Sequence, residues 1–492
     1  MKKALVLILI IAVALLASCS KSDSKTAAQT LATTAQSTAQ TQATTQATTA
    51  QTAAQTQAST AQSTVQATVQ SAAAAASEAA APQGPASAAQ TTAAQAVFQA
   101  TQELKPATIK VWYSISGTNG QFFESQVKAF AEKYPQIKVE LTYTGSYADS
   151  ATKISAAKLA GNSPDIAITS ASQLYTGEDG NFSMETDVLD PEFNIDDVRP
   201  GILEYANYRG RLAAVPFSIS TQVIYYNKDL AAKAGYDLEA NPPKTWDEFL
   251  TVAKAIQNAS TKGTYGFDTS DAKWLVKNML YQNGNEIVRM DSEGNVTPVF
   301  ADESGIEVAR FWARLIDEKV MAKSQHDNAE NKFLSGKLVF IAATSNRIAK
   351  WAESVQFNIG AIEMPYFKEQ KVALGGSTAT IMTTDPDRHA ASWALLKFLL
   401  NTENQTAYAL TTGYLPIRES SLDIPQVQAY MEQSDLYSTA IKQLDYSTAY
   451  VHFGEMGSMD TQLTWALDDI ENGTDPKRAF QDAQEQLLAD LK

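Results

Sequence analysis

The sequence predicts an α/β protein of two lobes with a ligand cleft between them, preceded by a long segment that packs into neither. Strand and helix periodicities alternate from Ile109 onward, and the same alternation resumes after Ser218. From Ser20 to about Leu104, by contrast, the residues are almost wholly Ala, Gln, Thr and Ser.

Pro106 to Lys492 is long for one core and comfortable for two. Ile109 to Tyr113 reads as a buried strand. Phe123, Val127, Phe130, Ala131 and Tyr134 then recur at helical spacing, and Ile137, Val139, Leu141 and Tyr143 alternate strictly. A helix through Ile154 and Leu159 stops at Gly161, and Pro164 to Thr169 reads as a third strand. That order predicts a parallel sheet with crossover helices.

Ser218 to Tyr226 reads as the next strand. Thr245-Trp246-Asp247-Glu248 is a capping box ahead of Phe249, Val252, Ala253 and Ile256. Leu338 to Ala343 and Ala379 to Thr383 are further strand candidates. Asp385-Pro386 and Asp475-Pro476 pair an N-cap with proline at the first helical position, and Gly413 and Gly473 sit where helices end. The expected division is a first lobe of about 106–217 plus 346–400 and a second of about 218–345 plus 401–492, with the chain crossing more than once.

The start of the chain is built differently. Lys2 and Lys3 precede an apolar run from Ala4 to Ala17, the layout of a secretory signal, here 1–18. The run is shorter than the about 20 residues of a membrane-spanning helix. Leu16-Ala17-Ser18-Cys19 resembles the bacterial lipobox, in which the cysteine takes a diacylglyceryl group and becomes the mature N-terminus. Cys19 is the only cysteine, so an internal disulfide is excluded. The Ala/Gln/Thr/Ser stretch, 19–105 with the anchor, cannot bury enough apolar surface to offset its ordering entropy and reads as a flexible tether. A coil of that length has a root-mean-square span of about 50 Å.

The formal net charge is −15, which disfavours nucleic-acid and anionic-lipid binding, since both use clustered Lys and Arg. His326, His389 and His452 are isolated and read as ordinary surface or core residues, with no metal-site spacing. No nucleophile elbow, P-loop or dinucleotide glycine motif occurs. Asp291-Ser-Glu293-Gly294-Asn295 lacks the closing glutamate of a calcium loop and reads as a hairpin turn. No cofactor is expected. Among 54 acidic residues, a pair suited to glycoside hydrolysis is not separable by spacing alone.

Aromatic and hydroxyl residues instead collect in loops expected at strand ends: Trp112, Tyr113, Ser114, Tyr147, Ser218, Ser220, Trp246, Trp274, Thr344, Ser345 and Tyr414. Open α/β sheets place ligands there. A sugar, with its apolar C–H face and rim of hydroxyls, needs aromatic surface and neutral donors and acceptors.

Several segments carry a family resemblance. Val215-Pro-Phe-Ser-Ile-Ser-Thr221, Val223-Ile-Tyr-Tyr-Asn-Lys-Asp-Leu230, Ala234-Gly235 and Pro242-Pro-Lys-Thr-Trp-Asp-Glu-Phe249 resemble the family 1 extracellular solute-binding proteins of ABC importers. So do Gly161-Asn-Ser-Pro-Asp165, Phe333-Leu-Ser-Gly-Lys337, Gly375-Gly376 and Thr412-Gly-Tyr-Leu-Pro-Ile417. The resemblance implies a periplasmic-binding-protein-like fold that closes on a ligand and delivers it to a permease with separate ATPase subunits, without chemistry on the solute. The chain is expected to act as a monomer.

Within the family, the glycerol-3-phosphate and sugar-binding branch is the most similar. Its ligand contacts fall on Tyr147, Ser220, Trp246, Thr344, Gly376 and Tyr414. Two positions depart: Ala171 stands for a glutamate and Asp460 for an arginine. Arginine suits phosphate through its planar fork, whereas aspartate repels it and accepts sugar hydroxyls. Asp460 could instead cap its helix, and Arg418 or Arg347 could supply the missing charge. The sequence therefore favours a neutral mono- or oligosaccharide or polyol as ligand, held by those six residues with Trp274 and Asp460. Glycerol-3-phosphate or a glycerophosphodiester is the alternative, and a carbohydrate-active enzyme or surface adhesin the reading from another class.

Overall fold

The computed structural model describes residues 104–171, 184–208, 211–323 and 326–491. The leader, Cys19 and the tether up to residue 103 lie outside the described residues. Among the described residues no helix is long and apolar enough to cross a membrane.

Strand β1 (Ala107–Tyr113) buries Ile109, Val111 and Tyr113 through its period of two. Helix α1 (Gly117–Lys133) follows and buries Phe123, Val127 and Phe130 on one stripe. Strand β2 (Ile137–Tyr143) returns parallel to β1, with Ile109 opposite Val139. Helix α2 (Tyr147–Leu159) opens on a capping box: Ser146 Oγ accepts from the Asp149 N–H, and the Asp149 carboxylate accepts from the Ser146 N–H. Strand β3 (Ile166–Thr169) pairs in parallel with the other edge of β1.

The single strand expected over Ser218 to Tyr226 is two. Strand β4 (Val215–Ser220) and strand β5 (Gln222–Asn227) belong to different sheets, with Thr221 between them. Every residue of both is buried, so the apolar run carries no mark of the change of sheet. Helix α3 (Trp246–Ala259), strand β6 (Tyr265–Thr269) and helix α4 (Ala272–Gln282) follow. The Asp291 segment is indeed a turn, joining the paired strands Val288–Met290 and Val296–Pro298. Helix α5 (Glu303–Asp317), strand β7 (Leu338–Thr344) and strand β8 (Ile359–Ile362) complete the second sheet and its cover.

Strand β9 (Gly375–Ile381) returns to the first sheet. Helix α6 (Pro386–Leu400) has Asp385 as N-cap, and helix α7 (Thr402–Thr412) ends at Gly413, φ +75°. Helix α8 (Met456–Glu471) stops before Gly473, φ +97°, and Asp475 caps helix α9 (Pro476–Asp490).

The first sheet runs β2-β1-β3-β9-β4 and the second β8-β5-β7-β6. Only β1, β2 and β3 form the parallel set expected, because β9 runs antiparallel to both its neighbours. In the second sheet only β7 and β6 are parallel. The buried residues form two clusters, one centred on Ile109, Phe123 and Phe217, the other on Trp246, Phe267 and Trp312.

The expected division of the chain needs correction at two places. Residues 346–400 do not all join the first lobe, since β8 lies in the second sheet and Trp351 packs against Tyr225 of β5 at 5.0 Å. Nor does 401–412 join the second, since α7 packs on α1. An amphipathic pattern says that an element is covered; long-range pairing decides by which sheet.

The chain crosses between the two sheets at Thr221 and at Val372–Ala373, and Ser447–Thr448 pairs in parallel with the second of these crossings. Gln443 Nε2 ties them to the first by donating to Thr221 Oγ1 at 2.9 Å and to Gln222 O at 2.7 Å.

Candidate ligand-binding cleft

Beside these crossings lies a cleft of about 600 Å³. It is bounded by the end of β4 at Ser220, the end of β7 at Thr344, the start of β9 at Gly375 and the N-terminal turns of α2 and α4.

The first-lobe wall is uncharged. Tyr147, first residue of α2, is aimed at the cleft by the capping box behind it and shares a hydrogen bond with Tyr414, which also bonds Asn346. Tyr414 stacks on Tyr408 at 5.9 Å and 17°, and Tyr408 OH bonds Ser218 Oγ at 2.9 Å. Tyr205 OH donates to Gly376 O at 3.2 Å. Gly376 has φ +115°, and a Cβ there would stand 1.7 Å from Ser218 O, so only glycine brings the backbone this close. Burial pushes the phenols of Tyr147, Tyr205 and Tyr414 up, so they stay protonated, as donors and acceptors without charge.

The second-lobe wall is ionic but balanced. Asp271 caps α4 by accepting from the Trp274 N–H at 3.0 Å. The Trp274 indole donates to Ala373 O at 3.2 Å and packs closely against Gly375, where a Cβ would approach its ring to 2.6 Å. One turn on, the Lys277 ammonium sits 2.7 Å from Asp460 Oδ1 of α8 and 4.6 Å above the Tyr450 ring. Lys273 stands 3.8 Å from Asp271. Two lysines thus face two carboxylates. His452 donates from Nε2 to Tyr205 O at 3.0 Å, and burial lowers its pKa to about 4, leaving the ring neutral. Trp465, 57% exposed, closes the outer edge.

Tyr147, Ser220, Trp274, Thr344, Gly376, Tyr414 and Asp460 therefore come together at one cleft. Trp246 does not. It is fully buried, its Nε1 donates to Gln282 Oε1 at 2.8 Å, and Phe249, Phe267, Phe311 and Phe367 surround it. Asp460 lies inside α8 and caps nothing, and Ala171 is fully buried. Neither arginine reaches the cleft: Arg418 is buried against Asp197 and the carbonyls of Phe193, Asn194 and Leu400, and Arg347 pairs with Glu330 at 3.0 Å.

Sequence reasoning missed Lys277, Tyr205, Tyr450 and His452. Only Lys277 had a signal, three residues after Trp274 on one helix face. The other two histidines are engaged too. His389 bonds Asp187 at 2.8 Å, and His326 bridges Asp268 at 2.6 Å and Glu471 at 2.9 Å.

Two α/β lobes joined by crossing strands, with a cleft of hydroxyls, aromatic rings and matched charges, define a ligand-binding protein of the two-lobe periplasmic type. The chain belongs to the bacterial extracellular solute-binding protein family, whose model matches residues 125–433. The sn-glycerol-3-phosphate-binding periplasmic protein UgpB of Escherichia coli (strain K12) is 28% identical over 363 residues, covering 68% of this chain and 80% of the relative. Among solved structures, the cyclic alpha-maltosyl-1,6-maltose binding protein from Arthrobacter globiformis matches with TM-score 0.68 and 22% identity, over 79% of this chain and 99% of that one. UgpB from Mycobacterium tuberculosis, in complex with glycerophosphocholine, matches with TM-score 0.67 and 22% identity, over 78% and 98%.

Proposed function

We propose that this chain is the solute-binding lipoprotein of an ABC importer, that it captures a neutral saccharide or polyol and hands it to the membrane permease, and that Cys19 carries the lipid anchor. The observation that carries the ligand class is the balanced cleft, with one wall of protonated phenols and serine hydroxyls and another whose lysines are each paired. Such a surface satisfies many hydroxyls and offers aromatic faces to C–H groups, but no described cation in it lacks a carboxylate. The structural neighbour that binds cyclic alpha-maltosyl-1,6-maltose supports the reading by analogy of fold. The same wall holds Lys273 and Lys277, and the curated relatives carry sn-glycerol-3-phosphate in their names, so a phosphate ester is the second reading.

The solute is expected to leave the cleft unchanged. Incubation of the purified protein with mono-, di- and oligosaccharides, followed by native mass spectrometry, is expected to show one intact saccharide per chain. Fragments of the saccharide would replace binding by hydrolysis. For the anchor, Cys19→Ser is expected to abolish incorporation of labelled lipid in cells; persistent labelling would remove the anchor from Cys19.

A further inference from the structure

Lys277 is the most deeply placed cation of the cleft, its side chain only 7% exposed. A lysine ammonium has three donors. One goes to Asp460 Oδ1 at 2.7 Å, and the Tyr450 ring covers another side. Asp460 is the more open partner, its side chain 24% exposed, and no described residue donates to its Oδ2. The two groups stand side by side on α4 and α8, one an unspent donor and the other an unspent acceptor.

We propose that Asp460 sets the specificity of the cleft: it holds Lys277 in an ion pair that turns away phosphate esters, and the pair grips two adjacent hydroxyls of a neutral solute. One hydroxyl donates to Asp460 Oδ2 while its neighbour accepts from Lys277. A phosphate dianion entering the same place meets a carboxylate before it meets the ammonium, and like charges juxtaposed in a desolvated site are strongly unfavourable. The other lysine gives no relief, since Lys273 faces Asp271. Without the Asp460 carboxylate, Lys277 would be a buried cation lacking its counter-charge, and an anionic ligand would supply it. This inference rests on the neutral-solute reading for what the pair grips, but the exclusion of phosphate is testable apart from it.

The test titrates sn-glycerol-3-phosphate, and a panel of mono-, di- and oligosaccharides, into the wild type, Asp460→Asn and Lys277→Gln, with melting curves to confirm folding. Asp460→Asn keeps the shape and removes the charge. It is expected to gain at least about tenfold in glycerol-3-phosphate affinity and to lose at least about tenfold for the saccharide. Lys277→Gln is expected to weaken the saccharide without gaining phosphate ester. A folded Asp460→Asn variant with unchanged glycerol-3-phosphate affinity overturns the proposal. So does wild-type binding of glycerol-3-phosphate that Lys277→Gln abolishes, and this comparison decides the matter even where Asp460→Asn does not fold. Failure of every saccharide to bind the wild type would instead strike the neutral-solute reading and leave the exclusion of phosphate to be judged on the glycerol-3-phosphate arms.

Discussion

The two walls of the cleft solve the same problem by different chemistry. The first-lobe wall presents Tyr147, Tyr205, Ser220 and Tyr414, which carry no charge because burial keeps the phenols protonated. The second-lobe wall presents Asp271, Lys273, Lys277 and Asp460, which carry four charges and cancel them in pairs. Neutral groups need only hydrogen-bond partners when water leaves, whereas charged groups need each other. The first wall therefore tolerates change residue by residue, and the second fails as a unit.

The largest expected effect separates the core of the second lobe from its wall. Trp246→Ala should lower the unfolding free energy by about 3–5 kcal/mol in denaturant titration, as expected for a fully enclosed indole. Trp274→Ala should leave stability near wild type and weaken ligand binding by about 2 kcal/mol, as for an aromatic anchor. If Trp246→Ala instead spared stability and cost affinity, the placement of the two tryptophans would be exchanged.

A second effect follows from His326, which ties Glu471, the last residue of α8, to Asp268 at the end of β6. The two carboxylates raise its pKa to about 9 against the desolvation that opposes them. A folded-state value above the unfolded about 6.5 gives stability that is fully present below pH about 6.5 and lost as pH rises toward about 9. The loss is on the order of 3 kcal/mol and should appear in melting curves across that window, with His326→Gln flattening the slope. An unchanged slope in the variant would detach His326 from the support of the ionic wall. The smallest effect belongs to the neutral wall: Tyr147→Phe should weaken binding by about 1 kcal/mol, read by calorimetry, with no change in its salt dependence.

How far the sequence carries is shown by Tyr147 and Trp246. Each is the first residue of a helix opened by a capping box, Ser146 with Asp149 in one case and Thr245 with Glu248 in the other. The Thr245 box is legible in the sequence and its helix starts there, whereas the Ser146 box closes with an aspartate in place of the usual Glu or Gln and shows only in the structure. Yet Tyr147 faces the cleft and Trp246 the core, because the phenylalanines around Trp246 come from α3, β6, α5 and residue 367, far apart in the chain. Local signals place a helix start; they do not say what the rest of the chain brings to it.

The same limit hid the break at Thr221 and the sheet that β8 joins. Asp460 was legible as a departure from an arginine, but its partner Lys277 lies 183 positions away and only folding joins them. Tyr205, Tyr450 and His452 sit in irregular segments with no pattern of their own, and it is the crossings between lobes that set them at the cleft.

A neutral solute in a cleft of paired charges meets no net charge. This is tested most directly by calorimetric titration of the wild type with the bound saccharide at about 0.01 M and about 1 M salt, where the screening length falls from about 30 Å to about 3 Å. The same affinity within about twofold is expected at both. An affinity that collapses at high salt, or a titration in which only sn-glycerol-3-phosphate gives heat, would contradict it.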